Sequence, residues 1–207
     1  MAKRAFSPKE VLLKTYKTIP WDGEWVKCFG TPTTNETWFI SGASASGKSS
    51  FVMQLARELC NYGVVLYVSY EEGVSQTFQT RIERFHMSEK QGKFRVVVDD
   101  TYDDLIARLK RPKGPHFVII DSFQYAEWTY QQTKELTEMF PRKSFIFISQ
   151  EHKGSPMGKA AVRLKYMAGV KVRVIGYEAL CQGRFIPEPG VKFKVWNEGI
   201  MKTTNNI

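Results

Sequence analysis

The sequence predicts an α/β fold: a mainly parallel central sheet flanked by helices, with an antiparallel extension at its C-terminal end. Three observations lead there. Short apolar, β-rich runs alternate with stretches of helical spacing along most of the 207 residues. A glycine-rich turn, Gly42 to Ser49, joins one such run to one such stretch. After Val170 the alternation gives way to short strands parted by Gly and Pro.

The elements follow in order. Ser7-Pro8-Lys9-Glu10 is a capping box with proline at the first helical position, so a helix is expected from about Pro8 to Thr18. Pro20, Asp22 and Gly23 then break the chain, and Gly30 to Asn35 is rich in turn residues. Trp38 to Ser41 reads as a buried strand. Ser49 to Cys60 carries Phe51, Val52, Leu55, Ala56 and Leu59 at helical spacing.

Strands are expected at Val64–Ser69, Phe94–Val98, Phe117–Asp121 and Ser144–Ser149. Helices are expected at Gln76–Met87, Asp103–Lys110 and Thr133–Phe140. The extension comprises Val170–Val174, Tyr177–Gln182 and Val191–Trp196, with a turn at Pro187 to Gly190. The expected organisation is an N-terminal helical and turn segment, residues 1–30, before a core of residues 31–207.

Bulk properties bound the function. An apolar content of 43% is ordinary for a globular domain, and no apolar run reaches the length of a membrane span. The basic start Met1-Ala2-Lys3-Arg4 has no apolar signal core behind it. Cys28, Cys60 and Cys181 are scattered, and no His lies near them, so neither a disulfide framework nor a zinc site is expected. That cysteine usage suits a reducing, cytoplasmic setting. The net charge of +9 suits a polyanion partner.

The turn matches the phosphate-loop pattern G-x-x-x-x-G-K-[ST] at every fixed position. Its backbone N–H groups can curl around phosphate oxygens, and the positive end of the following helix adds attraction. Gly42, Ala43, Ser44, Ala45, Ser46, Gly47, Lys48, Ser49 and Ser50 are therefore the expected nucleotide-binding residues. Lys48 would neutralise the terminal phosphates, and Ser49 would ligate Mg²⁺. No Asn-Lys-x-Asp segment for reading guanine occurs, which favours ATP.

Three further strand ends carry polar groups. Asp121 closes an apolar strand and is the expected second metal-side residue. Glu71 and Glu72 follow the strand after the loop; Glu71 is placed to polarise an attacking water, and Glu72 reads as a charge serving the next helix dipole. Gln150 ends a later strand and could sense the γ-phosphate. Arg81 and Arg84 lie beside the base or face solvent, and Phe6 reads as an ordinary tail residue.

In this order the motifs resemble the RecA-type ATPase core, and most closely its RadA/Sms branch, with KaiC and DnaB-type motors as more distant relatives. The segments that carry the resemblance are Gly42 to Ser49, Val65 to Glu72, Val118 to Ser122, Gly183-Arg184-Phe185 and Phe193 to Gly199. It spans roughly Thr31 to Met201. It implies ATP and Mg²⁺ as ligands, a homo-oligomeric ring or filament, and Lys48, Glu71, Gln150 and Arg184 as catalytic residues. Arg184 matches the arginine of the Lys-x-Arg finger that reaches a neighbouring subunit's phosphate.

There are departures. Gln182 stands where that finger has lysine, which shifts attention to Lys171 or Arg173. Gly169 replaces an expected aspartate, and the branch's zinc finger and protease-like domain have no counterpart in these residues.

After Gln150 a Gly/Ser/Pro loop runs into a basic helix carrying Lys153, Lys159, Arg163 and Lys165. In RecA-type proteins that region grips single-stranded DNA. Flexible backbone and spaced cations suit phosphate tracking. From Glu151 onward there are ten Lys/Arg against four Asp/Glu. The expected role is therefore ATP-driven action on single-stranded DNA in recombination, repair or replication. A nucleotide-switched assembly module of KaiC-like type is the alternative.

Overall fold

The computed structural model describes residues 4–197. Met1 to Lys3, and with them part of the basic start, lie outside those residues, as do Glu198, Gly199 and Met201 of the expected C-terminal motif. The elements are α1 (Pro8–Leu12), α2 (Gly23–Phe29), β1 (Thr37–Gly42), α3 (Lys48–Leu59), β2 (Val65–Ser69), α4 (Gln76–Arg84), β3 (Phe94–Val98) and α5 (Tyr102–Leu109). They continue with β4 (Phe117–Asp121), α6 (Phe123–Ala126), α7 (Tyr130–Met139), β5 (Ser144–His152), β6 (Ser155–Pro156), α8 (Lys159–Met167), β7 (Val170–Ile175), β8 (Glu178–Gly183) and β9 (Lys192–Lys194).

The sheet runs β3-β2-β4-β5-β1-β7-β8-β9, with β6 paired only to β5. From β3 to β7 every neighbouring pair is parallel. β8 and β9 then add antiparallel strands, the expected extension. Side chains alternate between two cores. Trp38, Ile40, Tyr67, Ile119 and Ile146 face α2, α3 and α4. Phe39, Leu66, Val68, Val118, Ile120, Phe145 and Phe147 face α5, α7 and α8. A strand buried on both faces has no polar side to show, which is why these runs read as continuous apolar segments.

The structure departs from the sequence reading at the N-terminus. α1 stops at Leu12 rather than Thr18, and none of its residues is buried. A short helix with no apolar face packed against its own chain gains nothing from lengthening. Instead the chain extends, and Thr18 pairs with Thr33.

α2 starts at Gly23, which the sequence reading takes as a chain break, and covers residues 24–29, to which that reading gives no element. Trp21, Trp25 and Phe29 recur every four residues and stack with Trp38, Phe51 and Phe193, ring centroids 4.6 to 6.4 Å apart. The Trp21 indole N–H donates to the Gly30 carbonyl at 2.6 Å. This segment is part of the main core rather than an appendage to it.

β5 runs three residues past Ser149. It turns back through Lys153 and Gly154, both with positive φ, to pair with β6. Two left-handed residues in a two-residue turn are the geometry a tight hairpin selects. The segment expected as an open loop therefore begins as a hairpin.

Candidate nucleotide site

The C-terminal ends of β1, β2, β4 and β5 lie side by side, the edge at which open parallel sheets bind ligands. Register fixes who meets whom: Gly42 lies opposite Gln150, and Ser69 opposite Asp121. Lys48, Ser49, Glu71, Asp121 and Gln150 are thus gathered from four separated stretches of chain onto one edge.

The phosphate loop is closely confined. Gly47 caps α3 with φ +97°, and a Cβ there would meet the Tyr177 ring at 2.8 Å. A Cβ on Gly42 would come within 2.4 Å of the Val174 carbonyl oxygen. Both positions therefore need glycine, one for backbone conformation and one for space. The Tyr177 N–H donates to the Ser46 carbonyl at 3.0 Å and ties β7–β8 to the loop. Lys48 Nζ donates to the Ala43 carbonyl at 2.8 Å, folding across the loop's mouth. Burial lowers the Lys48 pKa, against the pull of Glu71, Asp121 and Glu151.

Asp121 is buried and accepts a hydrogen bond from the Tyr67 hydroxyl. Burial raises its pKa from 3.8 to about 6; the Tyr67 bond opposes that shift and Glu71 adds to it. Tyr67, fully buried beside the carboxylate, is held well above its ordinary value, first by burial and then by the Asp121 charge. Among the described residues, two buried side-chain oxygens lack a hydrogen-bond partner, Ser46 Oγ and Ser122 Oγ. One lies in the phosphate loop and the other follows Asp121. Orphaned polar atoms, a cradle that a Cβ would fill and an uncompensated carboxylate all fit a phosphate–Mg²⁺ ligand.

Gln150 Nε2 donates to Glu71 Oε1 at 2.9 Å. Glu71 is exposed to solvent. Glu72 turns away and pairs with Arg81 while accepting from the Thr77 hydroxyl at 3.0 Å. Its partner is thus the side chain of Arg81 on α4, more specific than a service to the helix dipole. Arg84 reaches the other flank of the phosphate loop. There a cleft of about 280 Å³ is lined by residues 45–50, Arg84, Tyr177 and Trp196. The Tyr177 and Trp196 rings meet edge-on at 5.0 Å, and the Arg84 guanidinium lies 5.5 Å from the Trp196 ring centre. Sequence reasoning missed Tyr177 and Trp196; the aromatic pair brackets β8–β9, and only the antiparallel return brings it to the loop. A larger cavity, about 460 Å³, lies elsewhere, between α4 and the edge strand β3, and its apolar lining has no phosphate-binding group.

Arg184 does not join this edge. It follows β8, whose last residue lies opposite Val170, at the end of the sheet remote from the phosphate loop. Its N–H donates to the Gly169 carbonyl at 3.1 Å, and its side chain is exposed. Arg173 is engaged: its Nε lies 2.9 Å from Glu151 Oε2, and Glu151 also accepts from the Ser41 hydroxyl at 2.8 Å. Gly169 packs against Glu36, whose carboxylate a Cβ would meet at 2.3 Å, so an aspartate there would require the Glu36 side chain to swing aside.

Of the expected DNA-binding cations, Lys153 is at the hairpin tip, and Lys159 opens α8. Arg163 lies over the Tyr130 ring at 4.3 Å, and Lys165 is half-buried. No group of His, Cys, Asp and Glu that could hold a zinc ion occurs among the described residues. No helix there is long and apolar enough to cross a membrane.

Comparison with known proteins adds to this geometry. A family model described as AAA domain matches residues 30–127, which include the phosphate loop, Glu71 and Asp121 but neither Gln150 nor Arg184. The DNA repair protein RadA of Streptococcus pneumoniae is 34% identical over 85 residues, 41% of this chain and 19% of that protein. RadA of Streptococcus pyogenes serotype M6 is 34% identical over 85 residues, 18% of its length. The chain therefore matches less than a fifth of these relatives.

Two solved structures align over 86% of the chain at 16% identity. The flagellar accessory protein FlaH from Methanocaldococcus jannaschii has a TM-score of 0.62, with 93% of that chain covered. A KaiC-like protein from Pyrococcus horikoshii OT3 has a TM-score of 0.63, with 94% covered. Sheet order, phosphate loop and these alignments agree: the chain has a RecA-like α/β fold.

Proposed function

We propose that the chain is an ATP-hydrolysing protein that works as a homo-oligomer on single-stranded DNA. The observation that carries the reading is the gathering of Lys48, Ser49, Glu71, Asp121 and Gln150 at one sheet edge, with Gln150 bonded to Glu71. Lys48 meets the terminal phosphates, leaving the Ala43 carbonyl to do so. Glu71 accepts a proton from the attacking water, and Gln150 orients that carboxylate. Mg²⁺, held by the Ser49 hydroxyl and on the Asp121 side, neutralises phosphate charge when bound. The base enters the cleft of Arg84, Tyr177 and Trp196, where aromatic faces and a cation favour a flat ring.

Assembly is supported by two features. Arg184 lies too far around the sheet to serve its own loop, so it serves a neighbour's. Leu12 and Leu13 of the N-terminal segment are 85% and 72% exposed, apolar surface that a second copy would cover. DNA binding rests on the partial likeness to RadA proteins and on the exposed cations Lys153, Lys159 and Arg163, with the half-buried Lys165 on the same helix as the last two. The likeness to a KaiC-like structure over most of the chain favours a second reading, an ATP-switched assembly module that needs no DNA.

ATP turnover measured with and without single-stranded DNA at low salt separates the two. Stimulation by DNA supports the first reading. ATP-dependent oligomerisation, with neither DNA binding nor stimulation, supports the second.

A further inference from the structure

Gln124 uses both amide hydrogens and its amide oxygen, three of its four hydrogen-bonding positions, and the partners sit on two segments, β5 and the residue after β6. Its Oε1 accepts from the Gln150 N–H at 3.0 Å. Its Nε2 donates to the Ser149 hydroxyl at 2.8 Å and to the Met157 carbonyl at 3.1 Å. The orientation of the amide is set by those partners, because an N–H needs an oxygen and a carbonyl needs a donor. Met157 N–H donates in turn to the Gln150 carbonyl at 3.0 Å, closing the hairpin that carries Lys153. Gln124 itself sits on α6, three residues beyond Asp121.

We infer that Gln124 is a positioning residue that couples the Gln150–Glu71 contact to the β5–β6 hairpin. The inference rests on the proposed nucleotide function and adds to it a physical link between phosphate end and hairpin. Gln150 reaches Glu71 through its side chain and Gln124 through its backbone. A nucleotide that draws the Gln150 side chain toward its phosphates pulls on the same backbone. The Gln124 amide passes that displacement to Met157, at the far end of the hairpin. Without the amide, Gln150 and Met157 still share one backbone bond, but the side-chain link from both to α6, the turn that follows Asp121, is lost.

The test is residue-resolved amide hydrogen exchange at Gln150 and Met157, with and without a non-hydrolysable ATP analogue and Mg²⁺. In the wild type, the analogue changes exchange at both amides by at least about fivefold, the lower end of ordinary coupling between sites. Gln124→Leu binds the analogue with affinity within about twofold of wild type, yet its response at Met157 is clearly smaller, what remains passing through the direct Met157–Gln150 backbone bond. Gln124→Glu keeps the acceptor for Gln150 and loses the donors to Ser149 and Met157. It retains the response at Gln150 and weakens it at Met157, and it carries the test should the leucine variant not fold.

A hairpin that responds as strongly as wild type in both variants overturns the inference. So does a wild type that binds the analogue with no change at Met157, in which case the nucleotide function stands without it. A wild type that does not bind the analogue at all removes both.

Discussion

Gln150 and Glu71, 79 positions apart in the chain, are joined by a 2.9 Å hydrogen bond from Nε2 to Oε1. The bond spans β4, which lies between β5, which carries Gln150, and β2, which Glu71 follows. It fixes the carboxylate above the edge where the phosphate loop opens. Glu71→Gln keeps the shape and removes the basic oxygen. Turnover is expected to fall by about 10²–10⁴, with nucleotide affinity retained. A single-turnover assay alongside a binding titration checks this, and unchanged turnover would assign the base elsewhere.

Asp121 predicts a pH dependence. Its folded pKa of about 6 lies above the ordinary 3.8. Between those values the folded chain holds a proton that the unfolded chain has lost. Its contribution to stability is therefore present below pH 4, declines as pH rises to 6, and stays lost above that. Asp121→Asn removes this slope, so at pH 7.5 the ligand-free variant should be more stable than wild type by up to about 3 kcal/mol. Under the proposed function, binding of Mg²⁺ with nucleotide would require the carboxylate, so in wild type it is expected to strengthen over the same window, and the variant to lose it. Urea denaturation at pH 5 and 7.5, with and without Mg²⁺–ATP, gives both halves.

Gly42→Ala tests the confinement of the phosphate loop. Its Cβ would press on the Val174 backbone at 2.4 Å, and backbone cannot swing aside as a side chain does. A loss of about 1–3 kcal/mol is expected, together with weakened nucleotide binding. Thermal unfolding that matches wild type would show that β1 and β7 separate freely here.

Phe29→Ala tests the aromatic core that α2 completes. Phe29 is buried against Trp21, Trp25, Trp38, Phe51 and Phe193. Its removal should cost about 3–5 kcal/mol by equilibrium denaturation. A loss below 1 kcal/mol would mean that residues 1–30 are dispensable to the core.

Arg184, at the remote end of the sheet, should leave nucleotide affinity unchanged when replaced by alanine. Turnover of the assembled protein should fall by about 10³ or more. Mixing Arg184→Ala with Lys48→Ala then restores part of the activity, because an intact loop in one copy meets an intact arginine in the other. No recovery at any ratio would place the arginine's work within its own chain.

Much of this was legible because the inner parallel strands β1, β2, β4 and β5 are buried on both faces and cannot hide their apolar runs. β3 and β4 lie where periodicity puts them, and the phosphate loop announces itself by glycine and lysine. The remainder depends on distant partners. α2 begins at a glycine, and only its four-residue aromatic stripe hints at the rings from β1, α3 and β9 that hold it. α6 is a single turn, too short to show a period, yet it carries Gln124. The hairpin after Gln150 resembles a loop because Gly154, Ser155 and Pro156 are turn residues; its pairing appears only once β5 is extended. Tyr177 and Trp196 are separated by β8 and β9 and meet beside the loop through the antiparallel return.

The central claim is that a nucleoside triphosphate with Mg²⁺ binds at residues 42–49. Thermal unfolding with increasing Mg²⁺–ATP tests it most directly. At about 100 times the dissociation constant the midpoint should rise by about 5–10 °C in the wild type and stay flat in Lys48→Ala. A wild-type midpoint that does not move at millimolar Mg²⁺–ATP contradicts the account.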